Sequence, residues 1–309
     1  MILSMAPMEG VTGHVFRKVH AECFGKMERY YTPFISPTRV GIELTRKSMR
    51  ELSPEYNAGL NVIPQLLSKN AEEFLWATDQ LERMGYKEVN LNLGCPSGTV
   101  TSKGKGSGAL ADLIALEAFL REICERSPLP VSVKTRLGVT SDAEYEELLE
   151  LYCSLPLAEL IVHPRVQKDM YKGHARREAY GTTLARAPFP VAYNGDVFTV
   201  ADCESLLAAY PSTSHVMIGR GLVANPALPR MIGGEAPVAL DELREFHDAL
   251  FCAYEEEIGG NAVWRMKEWW SYAKDLLPEP ERAVRAIRKA KNPADYRAAA
   301  ERVFAAAER

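Results

Sequence analysis

The sequence has few of the features that mark secreted, metal-binding or membrane proteins. Its 6 cysteines are scattered over 309 residues without a CxxC pair, which argues against a disulfide framework and predicts a reduced, cytoplasmic protein. No group of His, Cys and carboxylate residues has the spacing of metal ligands, so we expect no metal. No apolar run reaches membrane length, and the first residues are too few and too uncharged for a signal peptide.

An excess of basic charge is also missing. Lys and Arg total 37 and Asp and Glu total 41, for a net charge of -4, so binding to a nucleic acid would require a local basic patch. The first strand–helix turn lacks a GxGxxG motif, and the glycine-rich residues 104–108 match neither that motif nor GxxxxGK[ST]. The lack of these phosphate loops argues against a doubly wound open sheet, which is the structural alternative to a barrel.

Apolar segments and helical patterns alternate through the first three quarters of the chain. Helix-start signals such as Asn70-x-x-Glu73 precede several of the helical stretches. Eight strand–helix units over roughly 230 residues predict an α/β fold, a parallel (β/α)8 TIM barrel. The strands are predicted at 2–6, 27–35, 62–67, 88–93, 131–135, 159–162, 191–193 and 215–218.

Chemically capable residues follow seven of these eight segments. Because the active site of a (β/α)8 barrel lies at the C-terminal ends of its strands, these residues are predicted to face one cavity. Polar residues also end strands simply because the chain emerges into water, so a purely structural explanation stays open. The candidates are Pro7, Met8, Glu9, Gln65, Asn92, Cys95, Lys134, Arg136, His163, Arg165, Asn194, Gly195, Asp196, Gly219 and Arg220.

Two strand ends predict an anion site. Asn194-Gly195-Asp196 and Gly219-Arg220 place glycine N–H groups and a guanidinium where TIM barrels bind ligand phosphates. Lys134 lies within an apolar strand and needs an anionic partner, because an unpaired buried ammonium is costly. Either an internal salt bridge or a bound anionic ligand would satisfy it.

Cys95 follows the predicted strand at 88–93 and lies between Gly94 and Pro96, two residues that interrupt regular secondary structure. A thiol on such a turn is exposed enough to react, which favours a functional role for Cys95. The alternative is a structural role, in which the side chain only fills space at the end of the strand. The glycine- and lysine-rich run at residues 102–108 follows. We expect this run to be a flexible, polar loop outside the core.

The pattern becomes wholly helical after Gly233-Gly234. We therefore predict a barrel domain at residues 1–235 and a helical domain at residues 236–309. Helices are predicted at 240–258, 261–277, 281–289 and 294–307.

Aromatic and basic residues are concentrated in the predicted helical domain. Trp264, Trp269 and Trp270 are assigned to its core, with base stacking as the alternative. One helix presents a basic face, which is either a solvated surface or a phosphate contact. That face consists of Arg282, Arg285, Arg288 and Lys289.

The ordered set of motifs resembles the tRNA-dihydrouridine synthase family, whose fold is a flavin-binding barrel followed by a helical domain. The match runs from the first residues to about residue 226, and Arg265-Met266-Lys267-x-Trp269 extends it more weakly. The matching segments are Ala6-Pro7-Met8-Glu9-Gly10-Val11-Thr12, Gln65, Leu91-Asn92-Leu93-Gly94-Cys95-Pro96-Ser97, Val133-Lys134-Thr135-Arg136-Leu137-Gly138, His163 with Arg165, Tyr171-Lys172-Gly173-His174-Ala175, Asn194-Gly195-Asp196 and Met217-Ile218-Gly219-Arg220-Gly221.

The resemblance implies a reaction and a set of roles. Reduced FMN, regenerated by NADPH, would give a hydride to C6 of a uracil in tRNA, and Cys95 would donate a proton to C5. The residues implied to bind FMN are Pro7, Met8, Glu9, Gln65, Lys134, His163, Asn194, Gly195, Asp196, Gly219 and Arg220. Those expected to bind the substrate are Asn92, Arg136, Arg165, Lys103, Lys105, Arg285 and Arg288.

Two departures from the family pattern concern the substrate side. Gly98 stands where many members have Lys, and Pro164-Arg165-Val166 replaces a Gly-Arg-Thr sequence. A different target nucleotide, or a substrate other than tRNA, therefore stays open. The alternatives are a flavin-barrel dehydrogenase of the dihydroorotate or dihydropyrimidine type and a non-catalytic tRNA-binding paralogue. The basic residues near the cavity mouth favour RNA, and we expect a monomer.

Overall fold

Eight parallel strands form a closed barrel in the computed structural model, which describes residues 1–37, 40, 44–277 and 280–308, without the side chains of 280–283. Each strand pairs with its sequence neighbour, and the last pairs with the first. Pro64 splits the third strand into two pieces, one paired with each neighbour, because proline has no N–H to donate. The strands are β1 (Ile2–Met5), β2 (Arg29–Tyr31), β3 (Val62–Ile63 and Gln65–Leu66), β4 (Val89–Leu93), β5 (Val131–Thr135), β6 (Glu159–Val162), β7 (Val191–Tyr193) and β8 (His215–Ile218).

Helices surround the barrel and then continue into a C-terminal bundle. The predicted start signal at Asn70 caps a helix through its side chain, and Ser141 and Thr199 cap a 3₁₀ turn and a helix in the same way. The helices are α1 (His14–Phe24), α2 (Arg46–Leu52), α3 (Ala71–Arg83), α4 (Gly98–Thr101), α5 (Leu113–Arg126), α6 (Tyr145–Cys153), α7 (Arg177–Arg186), α8 (Val200–Ala209), α9 (Arg220–Ala224), α10 (Leu228–Ile232), α11 (Leu240–Ile258), α12 (Ala262–Ala273), α13 (Pro280–Lys289) and α14 (Pro293–Ala307).

The predicted TIM barrel is confirmed, and four of its strands, β5 to β8, have the predicted bounds. The second strand is much shorter than the predicted 27–35. Beyond Tyr31 the Thr32 hydroxyl accepts the hydrogen bond from the Gln65 N–H, where a strand would offer a backbone carbonyl. The chain pairs with β3 again at an isolated bridge between Ile35 and Leu66.

The C-terminal helices pack directly on the barrel. Phe246 of α11 contacts Phe16 and Phe24 of α1, with ring centroids 5.9 and 5.2 Å apart. The Arg265 guanidinium of α12 donates to the Gly10 carbonyl at 2.6 Å, beside the end of β1. These contacts bring α12 over the C-terminal ends of the strands.

The tryptophan prediction is right for two residues and wrong for the third. Trp269 and Trp270 are buried in the helical core, whereas Trp264 is 69% exposed. In the ranges that the structure describes, no helix is long and apolar enough to cross a membrane.

Candidate active site

A cavity of about 660 Å³ opens at the C-terminal ends of the strands. This volume lies within the range of small-molecule and cofactor sites. The cavity wall includes most of the predicted site residues, but Gln65 and Arg165 are not part of it. The predicted residues on the wall are Pro7, Met8, Glu9, Asn92, Cys95, Lys134, Arg136, His163, Asn194, Gly195, Asp196, Gly219 and Arg220.

The Cys95 turn is fixed by hydrogen bonds from two directions. The Asn92 side-chain carbonyl accepts from the N–H groups of Gly94 and Cys95, at 3.0 and 2.8 Å. Arg136 donates its Nε–H to the Gly94 carbonyl at 2.8 Å. The predicted substrate residues Asn92 and Arg136 therefore also hold the thiol in place.

Residues after Cys95 contact its turn through hydrogen bonds. This ordered contact contradicts the flexible loop predicted at residues 102–108. Residues 106–111 form a 3₁₀ helix in which Gly106 and Ser107 are buried. Ser107 donates both its N–H and its hydroxyl to the Cys95 carbonyl. Gly106 has a φ of +58°, and a Cβ there would lie 2.7 Å from the same carbonyl oxygen, so the close approach requires glycine.

Burial and charge compete at the Cys95 thiol. Burial raises its pKa above the ordinary value, while a backbone N–H at Ser97 and the cations Arg136 and Lys134 oppose that shift. Burial is the larger effect, so the thiol is protonated at neutral pH. A protonated thiol is suited to donate a proton and is a poor nucleophile.

Gln65 lies one layer below the cavity. Its amide accepts from Asn92 at 2.7 Å and donates to Asn90 at 2.8 Å, and the residue is fully buried. This chain of amides orients Asn92, which in turn holds the Cys95 turn. A direct contact between Gln65 and a cofactor stays a prediction.

Lys134 faces the cavity without a protein partner. Within the described ranges its ammonium makes no hydrogen bond or ion pair, so the internal salt bridge considered from the sequence is absent there. Burial, reinforced by the Arg136 guanidinium, lowers the pKa of Lys134 to about 7. An anionic ligand edge at this wall would restore the charge.

Arg165 is the centre of a buried network behind the cavity wall. Only 1% of it is exposed, and its guanidinium donates to His163 at 3.1 Å and to Asp196 at 2.5 Å. It also donates to the carbonyls of Lys172 and Gly173, at 3.2 and 2.7 Å. The structure thus gives Arg165 a positioning role, and a substrate contact for this residue stays a prediction.

The same network sets the state of His163. Because a guanidinium has only donors, the Nε2 atom of His163 must accept from Arg165, which leaves its proton on Nδ1. Burial and the nearby cations, Arg136 first among them, lower the pKa of His163 well below its ordinary value. His163 is therefore a neutral hydrogen-bond donor at the cavity wall.

Backbone N–H groups line the wall where the anion site is predicted. In the described part of the chain, the N–H groups of Gly195, Asp196 and Gly219 donate to no other atom. A Cβ at Gly195 would lie 3.2 Å from the Cβ of Ala175, and one at Gly219 would lie 3.3 Å from the Cβ of Ala6, so larger residues would crowd this wall.

Asp196 contributes to the anion site indirectly. Its carboxylate accepts from Arg165, from Arg220 at 3.0 Å and from the Ala175 N–H at 3.0 Å. This bridge fixes the two guanidiniums. A carboxylate repels a phosphate, so any direct contact of Asp196 with an anion would come from its N–H group.

Sequence reasoning assigned no role to several residues of the cavity wall. Tyr171 is 52% exposed, and the guanidiniums of Arg136 and Arg220 lie 5.4 and 5.1 Å from its ring centroid. Glu268 and Tyr272 reach the cavity from α12. Tyr171 lies in a quoted motif, but no local signal connects α12 to the strand ends.

The predicted basic contacts lie outside the cavity and differ in availability. Lys103, Arg285 and Arg288 are exposed, whereas the Lys105 side chain is only 19% exposed and its Nζ lies 3.9 Å from a Glu73 carboxylate oxygen. The side chain of Arg282 is outside the described residues. Among the residues that the structure describes, no three His, Cys, Asp or Glu side chains are arranged to hold a metal ion.

Solved structures of other proteins superpose on most of this chain. The old yellow enzyme homologue from Zymomonas mobilis superposes with a TM-score of 0.52, at 12% identity, over 77% of this chain and 89% of that one. Histamine dehydrogenase from a Rhizobium species gives a TM-score of 0.56, at 13% identity, over 79% of this chain and 46% of the other. At these identities the likeness concerns the fold alone.

Sequence comparison identifies the family. The family model described as "Dihydrouridine synthase (Dus)" matches residues 4–304. The chain is 30% identical to tRNA-dihydrouridine(16) synthase of Cupriavidus necator, over 93% of this chain and 92% of that protein. It is 28% identical to the enzyme of the same name from Yersinia pestis, over 98% and 99% of the two chains. The chain therefore belongs to the dihydrouridine synthase (Dus) family and is a flavin oxidoreductase.

Proposed function

We propose that this enzyme reduces a uridine of tRNA to 5,6-dihydrouridine, with FMN as its cofactor, NADPH as its reductant and Cys95 as the proton donor. The observation that carries the proposal is the protonated Cys95 thiol on the wall of a cavity that also presents unpaired Lys134. When bound, reduced FMN supplies the hydride for C6 of the uracil.

The cavity residues fit FMN at both of its ends. The free N–H groups of Gly195 and Gly219, together with Arg220, would hold the phosphate. Lys134 would face the electron-rich edge of the ring, which would supply the anionic partner that it lacks among the described residues. His163 would donate its Nδ1–H to the cofactor, and Pro7, Met8 and Glu9 would border the ring.

Cys95 would deliver its proton to C5 of the uracil. Its S–H bond breaks as the C5–H bond forms, and solvent returns a proton to the thiolate between turnovers. The raised pKa keeps the thiol loaded with a proton at neutral pH. Asn92 and Arg136 keep the sulfur at the cavity wall while it acts as a general acid.

The substrate base would enter the cavity through its opening at the C-terminal ends of the strands. C5 and C6 of a stacked base are inaccessible, so the uridine must be flipped out of its RNA. Arg136 and Tyr171 line the cavity and would contact the flipped base. The exposed Lys103, Arg285 and Arg288 would contact phosphates outside. Lys105 and Arg165 would contribute less to RNA binding, because Lys105 lies near Glu73 and Arg165 is buried.

Uridine 16 is the first position to test. Two relatives, each matching over more than nine tenths of both chains, are named for position 16. The opposing candidate is a dehydrogenase of free pyrimidines. The basic residues outside the cavity favour RNA, because a free pyrimidine needs no extended basic surface.

The experiment is a reaction of the purified enzyme with NADPH and unmodified tRNA. We expect dihydrouridine to form in the tRNA, at position 16 by mapping, and no turnover of free dihydroorotate or dihydrouracil. Turnover of the free pyrimidines without reaction on tRNA would contradict the proposal. A protein that binds tRNA but carries no flavin absorbance would instead indicate a non-catalytic paralogue.

A further inference from the structure

Trp264 is an exposed aromatic ring with a lysine ammonium over one face. Its indole is on α12, and 69% of the residue is exposed. The Lys267 ammonium lies over the ring, 4.7 Å from its centroid, and donates a hydrogen bond to the Ala290 carbonyl. In the described ranges no other aromatic ring contacts the indole. One side of the ring is thus covered by a cation, and the rest faces solvent.

The position of Trp264 follows from the helix that carries it. Residues four apart lie on the same side of a helix and about 6 Å apart along its axis. Glu268 and Tyr272, four and eight residues after Trp264, line the active-site cavity. Trp264 therefore continues this row by one turn beyond the cavity wall.

Two neighbours of Trp264 connect it to different parts of the molecule. Lys267 connects it to Ala290, directly after α13, the helix that carries the exposed Arg285 and Arg288. Arg265, on the cavity side, is fixed to Gly10 near the cavity mouth. The indole thus lies one helical turn from the cavity wall and is linked through Lys267 to the C-terminal end of α13.

We propose that Trp264 is a stacking platform for a nucleobase of the RNA substrate, next to the uridine that enters the cavity. This inference rests on the proposed function only for the presence of RNA in the cavity. A single exposed aromatic residue is by itself unremarkable. Here the ring is oriented by a cation and flanked by basic side chains, which favours a polyanionic ligand with flat bases over an apolar protein surface.

The platform is tested with Trp264→Ala and Trp264→Phe in the full-length holoenzyme. Because stacking on an aromatic residue contributes substantially for each base, we expect Trp264→Ala to raise the KM for tRNA about tenfold. The kcat and the flavin content should stay within about twofold of wild type, since the ring does not touch the reacting atoms. Trp264→Phe should keep most of the affinity. Ile114→Ala, which removes an exposed apolar side chain on the outer helix α5, is the matched control and should change nothing.

Fluorescence provides a second measurement that does not depend on turnover. A base stacked on the indole should quench Trp264, so unmodified tRNA should quench wild type more than Trp264→Phe. Equal quenching in the two proteins, or a KM for Trp264→Ala within twofold of wild type, would overturn the inference. A chain that shows the Trp264-dependent quenching but forms no dihydrouridine would contradict the proposed function and leave the platform standing.

Discussion

At the scale of single residues, the surroundings of Cys95, Lys134 and His163 shift their pKa values and so set their protonation at neutral pH. The Cys95 thiol stays protonated because burial outweighs the two cations beside it. Lys134 titrates near neutrality because burial and Arg136 disfavour its charge. His163 is neutral because burial, reinforced by the cations around it, lowers its pKa. The cavity wall therefore presents a protonated thiol, Cys95, and an amine, Lys134, that becomes charged when an anion binds.

Replacing Cys95 should stop proton delivery without releasing the cofactor. We expect Cys95→Ala to keep its flavin absorbance and to form dihydrouridine about 10²- to 10⁴-fold more slowly, the usual contribution of a general acid. The measurement is single-turnover reduction of uridine by the pre-reduced enzyme. Cys124→Ala, which removes a half-buried thiol from the outer helix α5, should behave as wild type. Undiminished turnover in Cys95→Ala would remove this residue from the mechanism.

The pH profile gives an independent check on Cys95. An acid must be protonated to act, so the rate is lost as pH rises through its pKa. Since burial raises that pKa above the ordinary value of 9.0, the single-turnover rate should be flat from pH 7 to about 9 and fall only above that range. A decline that begins near pH 7 in wild type and also in Lys134→Met, which lacks the other group that titrates near 7, would show that the thiol is more acidic than its burial implies.

Lys134 should set the redox potential of the bound flavin. A cation beside the ring stabilises the negatively charged reduced form, so Lys134→Met should make the midpoint potential more negative. A hydrogen bond to a charged group corresponds to a shift of about 30–60 mV for a two-electron couple. Spectroscopic titration against a reference dye measures it, and the exposed Lys103→Met is the control. An unchanged potential in Lys134→Met would place this lysine away from the ring.

At the scale of elements, the sequence predicted those that depend on local signals. The bounds of β5 to β8 follow from short apolar runs between turns, and the helix caps from Asn, Ser and Thr at fixed spacing. The length of β2 depends on a hydrogen bond between Thr32 and Gln65, which are far apart in the chain. No local pattern reveals such a bond.

The same distinction applies to the side chains of the site. The sequence located the cavity residues, because strand ends in a barrel converge. It did not distinguish residues that face the cavity from Gln65 and Arg165, which orient them from behind. Nor did it separate Trp264 from Trp269 and Trp270, since only the packing of α12 decides which side is buried.

The basic face of α13 should contribute to RNA affinity through charge. Changing both Arg285 and Arg288 to Glu should raise the KM for tRNA and flatten its dependence on salt, because fewer counterions are released on binding. The flavin content should not change. The charge-matched control is the change of Arg121 and Arg126 to Glu on the outer helix α5, where both are exposed. An equal loss in both double variants would assign the effect to net charge alone.

At the scale of the whole molecule, the cavity is shared between the barrel and the helical bundle. Glu268 and Tyr272 of α12 complete a wall that the strand ends begin. The position of α12 depends on α11, which packs on α1 through Phe246 and also contacts Trp269 at 5.8 Å. The predicted domains at 1–235 and 236–309 therefore share one site, and their stabilities should be coupled.

The coupling is testable at Phe246, a fully buried side chain between α1, α11 and α12. Phe246→Ala leaves a large cavity at this junction and should lower the free energy of unfolding by about 3–5 kcal/mol. Because the junction positions both units, urea should release the flavin and unfold the helices at midpoints that move down together. Flavin fluorescence and far-UV circular dichroism measure the two events, and Ile114→Ala should shift neither. A flavin-release midpoint that stays at the wild-type value while the helical signal shifts would mean that the barrel retains its site without the bundle, and that α12 contributes to substrate binding alone.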